Sequence, residues 1–395
     1  MNIILSGGWG YGNLGDDAIL YTSLNLISER FPNARIQLLT YDPEQKLSLN
    51  SNVVTIQKSA HRVLFNDSAY RMLSTYGKVK SLSNYPDLIR RIIKKYNFIK
   101  YNSLLGTNKV DLSGWDNLET CFKQADLYIM SGGGYFNNWK ESLISRCTEL
   151  ELAAKYDIPS YILGQSLDNF YDYYKPYLQL VLKTCRQISV RDKLSIEVLK
   201  ELKINAVYSP DLVVSQSKKN INVQDEIAFI PATCHPSNRR SVAKGIITIS
   251  QKYNLKVNII ITRLYDDDII EAKWYFSFFK HHKLNANMRI PGNLDELIND
   301  ISNKKYIISR NLHGLILGIV NGGEKLLCLN NQPKFISFME QIGQSKYIID
   351  ANTATDIELV NLFTDMYQDS YNLEDIKAKL ARTVRERFNS LFDLL

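Results

Sequence analysis

The chain has 395 residues, a formal net charge of +7 and a hydrophobic content of 45%, which is ordinary for a folded protein in water. A single hydrophobic core rarely supports this length, so two domains are expected. No stretch approaches the roughly 20 apolar residues that cross a bilayer, and the N-terminus lacks the basic start and long apolar region of a signal peptide. We therefore expect a cytoplasmic protein and exclude an integral membrane protein.

The opening loop carries the spacing Gly10-x-Gly12-x-x-Gly15 between an apolar run, Ile3–Ser6, and a helical pattern over 17–30. This spacing is typical of loops that bind a pyrophosphate at a helix N-terminus. Asp16 and Asp17 argue against a dinucleotide, because two carboxylates in the first turn cap the helix and repel phosphate. An NAD-binding protein would also need Asp42 to hold the ribose.

Short apolar runs alternate with amphipathic segments along the chain, which is typical of parallel sheets covered by helices. In the first half, strands are predicted at 3–6, 35–40, 53–56, 127–131, 160–163 and 187–190, with helices near 17–30, 141–156 and 193–202. The polar stretch 215–224 marks a domain boundary. In the second half, strands are predicted at 227–231, 256–261, 305–309 and 325–329, with helices near 241–252, 268–282 and 313–320.

We thus predict an α/β protein of two Rossmann-like, doubly wound domains facing across a cleft. The predicted domains are 1–215 and 216–371. A closing C-terminal helix is expected over 372–395, because one apolar stripe runs through it for about five turns.

The segment from about 57 to 110 is strongly basic, with eleven Lys or Arg against Asp67 and Asp87. Its apolar residues between Leu88 and Ile99 recur at helical spacing beside cations, as in helices that lie on anionic membranes. The alternative is an insertion packed on its own domain with a solvated basic face. No recognised nucleic-acid-binding module surrounds the patch, so no nucleic-acid partner is expected.

The five cysteines, at 121, 147, 185, 234 and 328, are scattered and form no C-x-x-C pair, which suits a reducing compartment. Cys234 and His235 are adjacent, but they lack further ligands at usable spacing. No metal site is predicted.

Ligands of doubly wound sheets bind beyond the carboxyl ends of the strands, so residues that follow predicted strands are candidates. Ser131-Gly132-Gly133-Gly134 permits close approach of backbone to a ligand, or forms a tight turn into a helix. Arg191 follows the strand 187–190, where it can bind an anion or form an internal salt bridge. Asp192 is explained as a helix N-cap.

The sharpest candidate is Ser309-Arg310-Asn311-Leu312-His313-Gly314, which lies between the apolar run 306–308 and the apolar helix 315–320. Arg310 and His313 stand three residues apart at a helix start, on one side of it if the first turn is helical. A buried histidine with only structural hydrogen bonds is the alternative. The neighbouring arginine at a strand end favours a functional site.

These segments together resemble the polysaccharide pyruvyl transferase family, whose members make pyruvate ketals on cell-surface glycans from phosphoenolpyruvate. The matching elements are GYGNLGDDAIL at 10–20, SGGG at 131–134, SVRDKLS at 189–195, SPDL at 209–212, SRNLHGLILGIVNG at 309–322 and NNQPKFISFMEQIG at 330–343. The chain departs from the family in the insertion 57–110 and in the stretch 230–236, which lacks an arginine. Both departures concern the acceptor more than the reaction.

The resemblance implies a fold like that of two-domain GT-B glycosyltransferases, with the donor site mainly in the C-terminal half. It implies that Arg191, Arg310 and His313 handle the donor. Phosphoenolpyruvate carries a carboxylate and a phosphate, so Arg191 and Arg310 would each offer a planar fork, with Lys334 at the phosphate. Further substrate-binding candidates are Asn13, Asp16, Gly133, Gly134 and Leu312.

His313 is the predicted general acid, with general base toward an acceptor hydroxyl as its alternative role. Aromatic rings in the segment 170–177 are candidates for stacking on acceptor sugars. No redox or other cofactor is expected. Three alternatives remain: a glycosyltransferase that uses a nucleotide sugar, the NAD-binding protein described above, and a non-catalytic glycan-binding module.

Overall fold

The computed structural model describes residues 1–44, 52–64, 112–216, 222–231, 236–370 and 373–393. The chain forms two compact units. The first contains 1–12, 19–209 and 388–395, and the second contains 13–18 and 210–387. The predicted domain boundary at 215/216 lies a few residues beyond this division. Most of the predicted basic insertion and the pair Cys234–His235 lie outside the described residues.

The first unit is built on a parallel sheet in the order β3-β2-β1-β4-β6-β7-β8, with β5 beside β6. This order, with later strands added on the far side of β1, is the doubly wound arrangement. The strands are β1 (Asn2–Ser6), β2 (Arg35–Thr40), β3 (Val53–Lys58), β4 (Leu127–Met130), β5 (Gly133–Phe136), β6 (Ser160–Leu167), β7 (Gln187–Val190) and β8 (Val207–Tyr208).

Helices connect these strands, as parallel pairing requires. They are α1 (Leu14–Arg30), which belongs to this unit from residue 19 onward, α2 (Leu112–Lys123), α3 (Lys140–Lys155), α4 (Lys175–Leu182) and α5 (Lys193–Glu201). A 3-10 turn, Asp172–Tyr174, precedes α4. The end of the chain packs in this unit, where the ring of Phe392 lies 4.7 Å from that of Tyr161 and 5.4 Å from that of Phe31.

The second unit has a parallel sheet in the order β11-β10-β9-β12-β13. Its strands are β9 (Gln224–Ile230), β10 (Lys256–Ile260), β11 (Ala286–Arg289), β12 (Lys304–Ser309) and β13 (Lys325–Cys328). Its helices are α6 (Pro236–Tyr253), α7 (Asp266–His281), α8 (Leu294–Ile301), α9 (Leu312–Val320), α10 (Pro333–Gln341), α11 (Asp356–Gln368) and α12 (Leu373–Leu391), which belongs to this unit up to residue 387. A 3-10 turn, Leu212–Ser215, also belongs here.

The predicted α/β class is confirmed, and every strand predicted from an apolar run is present. The sequence analysis did not predict the strands β5, β8 and β11 or the helices α2, α4, α8, α10 and α11. β5 is the clearest case: the glycines of 131–134 lead into a strand beside β6, where we expected either close approach to a ligand or a turn into a helix.

A buried ion pair lies in the core of the first unit, at the carboxyl end of β1. Arg146 Nη1 lies 3.2 Å from Glu149 Oε2, and both side chains are fully buried. The guanidinium also donates to the Gly7 carbonyl and the Tyr41 hydroxyl, while Glu149 accepts from Tyr128 and from the backbone of Ala60. Burial alone would lower the pKa of Arg146, but the surrounding phenols and the Glu149 carboxylate raise it by more, so the pKa lies above its ordinary value.

Replacing Glu149 by Gln leaves the Arg146 cation buried without its counter-charge. We expect the free energy of unfolding to fall by about 3–5 kcal/mol, measured by urea denaturation. Glu201→Gln serves as the control, because Glu201 forms a solvent-exposed pair with Lys175 at 3.4 Å and should change stability by less than about 1 kcal/mol. Equal losses in both variants would contradict the assignment.

Candidate functional site

The loop after β12 is fixed by both neighbouring strands. Ser309 stands opposite Ile230 of β9 and Cys328 of β13, and the Arg310 amide donates to the Ile230 carbonyl at 3.0 Å. Asn311 then caps α9 by accepting from the Gly314 amide. Residues 310–313 therefore leave the carboxyl edge of the sheet from a strand that is paired on both sides, and they follow a strand end as the sequence predicts.

His313 lies in the first turn of α9 and is only 7% exposed. Its imidazole packs directly against Gly15 of the opening loop. A Cβ atom built on Gly15 would lie 2.3 Å from Nδ1 and 2.4 Å from Cγ of His313. No side chain fits in that space, so Gly15 is required for the contact. The structure thus brings two of the sequence motifs together within the second unit.

Residues 13–16 of the opening loop are held within this unit by backbone and side-chain bonds. The Leu14 amide donates to the Thr262 carbonyl at 3.0 Å, and Asn13 forms a β-bridge with Arg263. The Asn13 side chain accepts from the Gly15 amide and donates to Asp16 at 2.8 Å. Asn13 and Asp16, predicted to bind substrate, therefore also fix the loop that contacts His313.

Arg263 is a candidate that the sequence analysis missed. It lies three residues after the end of β10, and its guanidinium lies 2.8 Å from Asp268 and 5.5 Å from the ring centre of Tyr265. Its side chain is 31% exposed. The rule that singled out Arg310, a charged residue just after a predicted strand, would have found it. No recognised motif surrounds Arg263, and it was therefore not selected from the sequence.

Two further cations lie on this edge. The guanidinium of Arg310 donates to Asn352 at 2.9 Å, and Asn352 is in turn held by Asp350. Lys334 is in the first turn of α10, after β13. Leu312, also predicted to bind substrate, is 7% exposed. Arg310 lies two residues before α9 begins, and a cation together with a helix N-terminus favours an anionic ligand.

Arg191 lies in the first unit, at the carboxyl end of β7, and is 7% exposed. Its Nε donates to the Ser166 hydroxyl at 2.9 Å, and its amide donates to the Gln165 carbonyl. Asp192 caps α5 by accepting from the amide and hydroxyl of Ser195, as predicted. That Arg191 acts on the same ligand as Arg310 and His313 stays a prediction.

The glycines of 131–134 make room for an aromatic side chain. Gly133 has a φ of +143°, and a Cβ there would lie 2.2 Å from the ring of Tyr135. Gly8 faces the same ring, whereas a Cβ on Gly134 would meet no atom within 4 Å. The buried side chain of Gln165, in β6, donates to the Ser131 carbonyl and accepts from the Tyr135 amide. It therefore links β6 to the segment that contains these glycines.

A row of rings continues along this side of the first unit. Tyr11 lies 5.5 Å from Tyr41, Tyr41 lies 4.9 Å from His61, and His61 lies 5.9 Å from Trp139, between ring centres. Burial, with Arg146 and Arg62 nearby, lowers the pKa of His61 to about 3. His61 is therefore neutral at physiological pH, and the row ends at the exposed ring of Trp139.

A sequence model of one family, polysaccharide pyruvyl transferase, matches residues 13–324. No curated protein sequence matches the chain. Solved structures with the same fold include UDP-GlcNAc 2-epimerase from Methanocaldococcus jannaschii, with 12% identity, a TM-score of 0.56 and coverage of 98% of this chain and 99% of that one. The Neisseria meningitidis UDP-GlcNAc 2-epimerase bound to UDP-GlcNAc has 11% identity, a TM-score of 0.51 and coverage of 98% and 100%.

A plant enzyme is similar too: Phytolacca americana UGT2, complexed with UDP-2fluoro-glucose and pterostilbene, has 11% identity, a TM-score of 0.50 and coverage of 98% and 94%. These matches show the fold, which is of the GT-B type, as predicted. Within the described ranges, no three His, Cys, Asp or Glu side chains are grouped to hold a metal ion. Nor does any helix in those ranges have the length and apolar character to cross a membrane.

Gly15→Ala places a methyl group inside the contact with His313. We expect a loss of about 1–3 kcal/mol in the free energy of unfolding, since the loop or the imidazole must move. Gly134→Ala is the matched control, because its Cβ meets open space, and it should stay within about 0.5 kcal/mol of wild type. Chemical denaturation measures both. Equal stability of Gly15→Ala and wild type would contradict the packing.

The depressed pKa of His61 makes stability depend on pH. Between about pH 6.5 and pH 3, His61 is protonated in the unfolded chain but neutral in the folded chain, because folding lowers its pKa from about 6.5 to about 3. Stability from this group is therefore present above pH 6.5 and falls as the pH drops, by up to about 1.4 kcal/mol per unit. His61→Gln should flatten the stability profile between pH 7 and 5. Parallel profiles for His61→Gln and wild type would oppose this.

Proposed function

The chain belongs to the polysaccharide pyruvyl transferase family, and we propose that it transfers a pyruvyl group from phosphoenolpyruvate to two hydroxyls of one sugar. The product is a pyruvate ketal on a cell-surface polysaccharide or its precursor, and phosphate is released. The observation that supports this most directly is the packing of His313 against Gly15. His313 is a proton-exchanging group three residues after Arg310, and Arg263 pairs with Asn13 of the same opening loop that His313 contacts.

The donor fits this edge by charge. Phosphoenolpyruvate carries a carboxylate and a phosphate on three carbons, so it needs cations in two directions. Arg310 offers a planar fork, and Asn352 supports its guanidinium. Lys334 adds a compact charge near the start of α10. We propose Arg310 for the carboxylate or phosphate, Lys334 for the phosphate, and Arg191 as a third donor ligand.

The chemistry needs one proton donor and no redox step. Protonation of the methylene carbon gives a methyl group and an oxocarbenium-like centre, which the first sugar hydroxyl attacks. Phosphate then leaves, and the second hydroxyl closes the ring. One of the two hydroxyl protons replaces the proton given to the methyl group, and the other leaves with phosphate. We propose His313 as the acid, because imidazole exchanges protons near neutral pH.

The remaining roles are proposals as well. The enzyme needs no cofactor, acts in the cytoplasm, and uses a saccharide acceptor that is either soluble or lipid-linked. If the acceptor is lipid-linked, the basic segment 57–110 would hold the enzyme at an anionic membrane surface. A nucleotide-sugar glycosyltransferase is the alternative function, since the similar structures include complexes with UDP-GlcNAc and UDP-2fluoro-glucose.

The test is incubation with phosphoenolpyruvate and galactose-, mannose- and glucose-type acceptors, with phosphate release and the mass of the added carboxyethylidene group as readouts. His313→Ala should lower turnover by about 10²–10⁴-fold. Arg310→Ala and Arg191→Ala should raise the KM for phosphoenolpyruvate by about tenfold or more. His282→Ala, an exposed histidine at the end of α7, should behave as wild type.

Two results would count against the proposal. Sugar transfer from UDP- or GDP-sugars with no reaction of phosphoenolpyruvate would favour the glycosyltransferase. Full turnover by a folded His313→Ala variant would leave the pyruvyl transfer standing but remove His313 as its acid.

A further inference from the structure

We propose that the first unit binds sugar rings of the acceptor on an aromatic platform formed by Trp139, Tyr171 and Tyr173. This rests on the proposed function, in which the acceptor is a glycan. The platform adds a site, and a residue, Trp139, that the sequence analysis did not select. Within the aromatic segment 170–177, it selects Tyr171 and Tyr173 as the rings that contact a ligand.

The sheet brings the two loops of the platform side by side. β5 and β6 are neighbouring parallel strands, with Phe136 opposite Leu167 at their carboxyl ends. The Asp168 amide extends this pairing by donating to the Phe136 carbonyl at 3.0 Å. Residues 137–139 and 168–173 therefore leave the sheet together, at the edge where ligands of doubly wound sheets bind.

Side-chain amides fasten the loops to each other and set the position of Trp139. Asn138 is the central residue, since it bonds to the second loop through its backbone amide and through both ends of its side chain. Its amide donates to Asp168 at 3.3 Å, its Nδ2 donates to the Asn169 carbonyl at 3.0 Å, and its Oδ1 accepts from the Tyr171 amide at 3.2 Å. Asn137 accepts from the Trp139 amide at 2.9 Å.

This fastening matters for binding. A loop that is already ordered does not lose its conformational freedom again when a ligand arrives, so more of the contact energy appears as affinity. Aromatic side chains add large contact areas with few rotatable bonds.

The three rings are exposed although they are apolar. Trp139 is 45% exposed, Tyr171 56% and Tyr173 69%, whereas the adjacent Phe170 is 3% exposed and belongs to the core. Tyr171 and Tyr173 stack at 5.6 Å with an interplanar angle of 13°. Neighbouring large rings kept in solvent are typical of a surface that binds a ligand.

The polar groups between the rings select the ligand class. Residues 137–139 and 168–173 carry two charged side chains, the carboxylates Asp168 and Asp172, and Asp172 is paired with Lys175 at 3.1 Å. Their other polar side chains are amides, phenols and the indole of Trp139. Such groups form hydrogen bonds with hydroxyls, while the Asp168 carboxylate repels phosphates and anionic lipids. A pyranose offers both matching surfaces, with C–H groups for the ring faces and hydroxyls for the rim. The fit is therefore to a neutral glycan.

The experiment is native affinity electrophoresis of the full chain in gels that contain soluble galactan, galactomannan or β-glucan, without phosphoenolpyruvate. We expect retardation of wild type in at least one gel, and affinity about tenfold weaker for Trp139→Ala and Tyr173→Ala. Trp139→Phe keeps a ring and should retain most of the binding. Leu180→Ala is the matched control, because Leu180 is as exposed as Tyr173, at 69%, but lies outside the two loops.

The results of this experiment distinguish failure of the aromatic platform from failure of the proposed pyruvyl transfer. Binding that is equally strong in Trp139→Ala, Tyr173→Ala and Leu180→Ala would overturn the platform, as would the absence of retardation of wild type in every gel. If binding depends on the rings but phosphoenolpyruvate is never consumed, the proposed function fails and the platform stands. Circular dichroism of each variant checks that it is folded.

Discussion

The contact between Gly15 and the imidazole of His313 is the constraint on which the arrangement of the second unit's carboxyl edge depends. It requires a residue without a side chain at position 15, and it requires the opening loop to stay in place. The bonds from Leu14 to Thr262 and from Asn13 to Asp16 meet the second requirement. The opening loop and the segment after β12 are far apart in the sequence, but together they hold the imidazole of His313 at the end of a strand.

The pattern of parallel strands made much of this predictable. Buried strands of parallel sheets are nearly continuous apolar runs, so their positions could be located from hydrophobicity alone. Once they were located, the carboxyl-edge rule selected Arg310 and His313 without any structure. The same rule applied to the run 256–261 should have selected Arg263. It was missed because the sequence offers no glycine or histidine beside it.

Other features depend on pairing, which the sequence does not reveal. The glycines of 131–134 are compatible with a turn into a helix, and only the alignment of Phe136 with Leu167 shows that a strand follows. Trp139 gains its position from that alignment and from the amides of Asn138. A lone tryptophan in a polar stretch carries no periodicity, so no local pattern could indicate that its ring is exposed.

The glycine-rich segments also show why a spacing motif is weak evidence for a nucleotide. In a dinucleotide site, amides at the helix start point to the pyrophosphate. Here the Gly15 amide is directed at the Asn13 side chain, and Asp16 and Asp17 stand in the same turn. The space beside Gly15 is filled by His313, and the spaces beside Gly8 and Gly133 are filled by Tyr135. Of the three spaced glycines, Gly10 and Gly12 adopt a φ of 78°, which favours glycine, and Gly15 gives room to an imidazole of the protein itself. The same spacing that suggests a phosphate loop is thus explained by backbone conformation and packing.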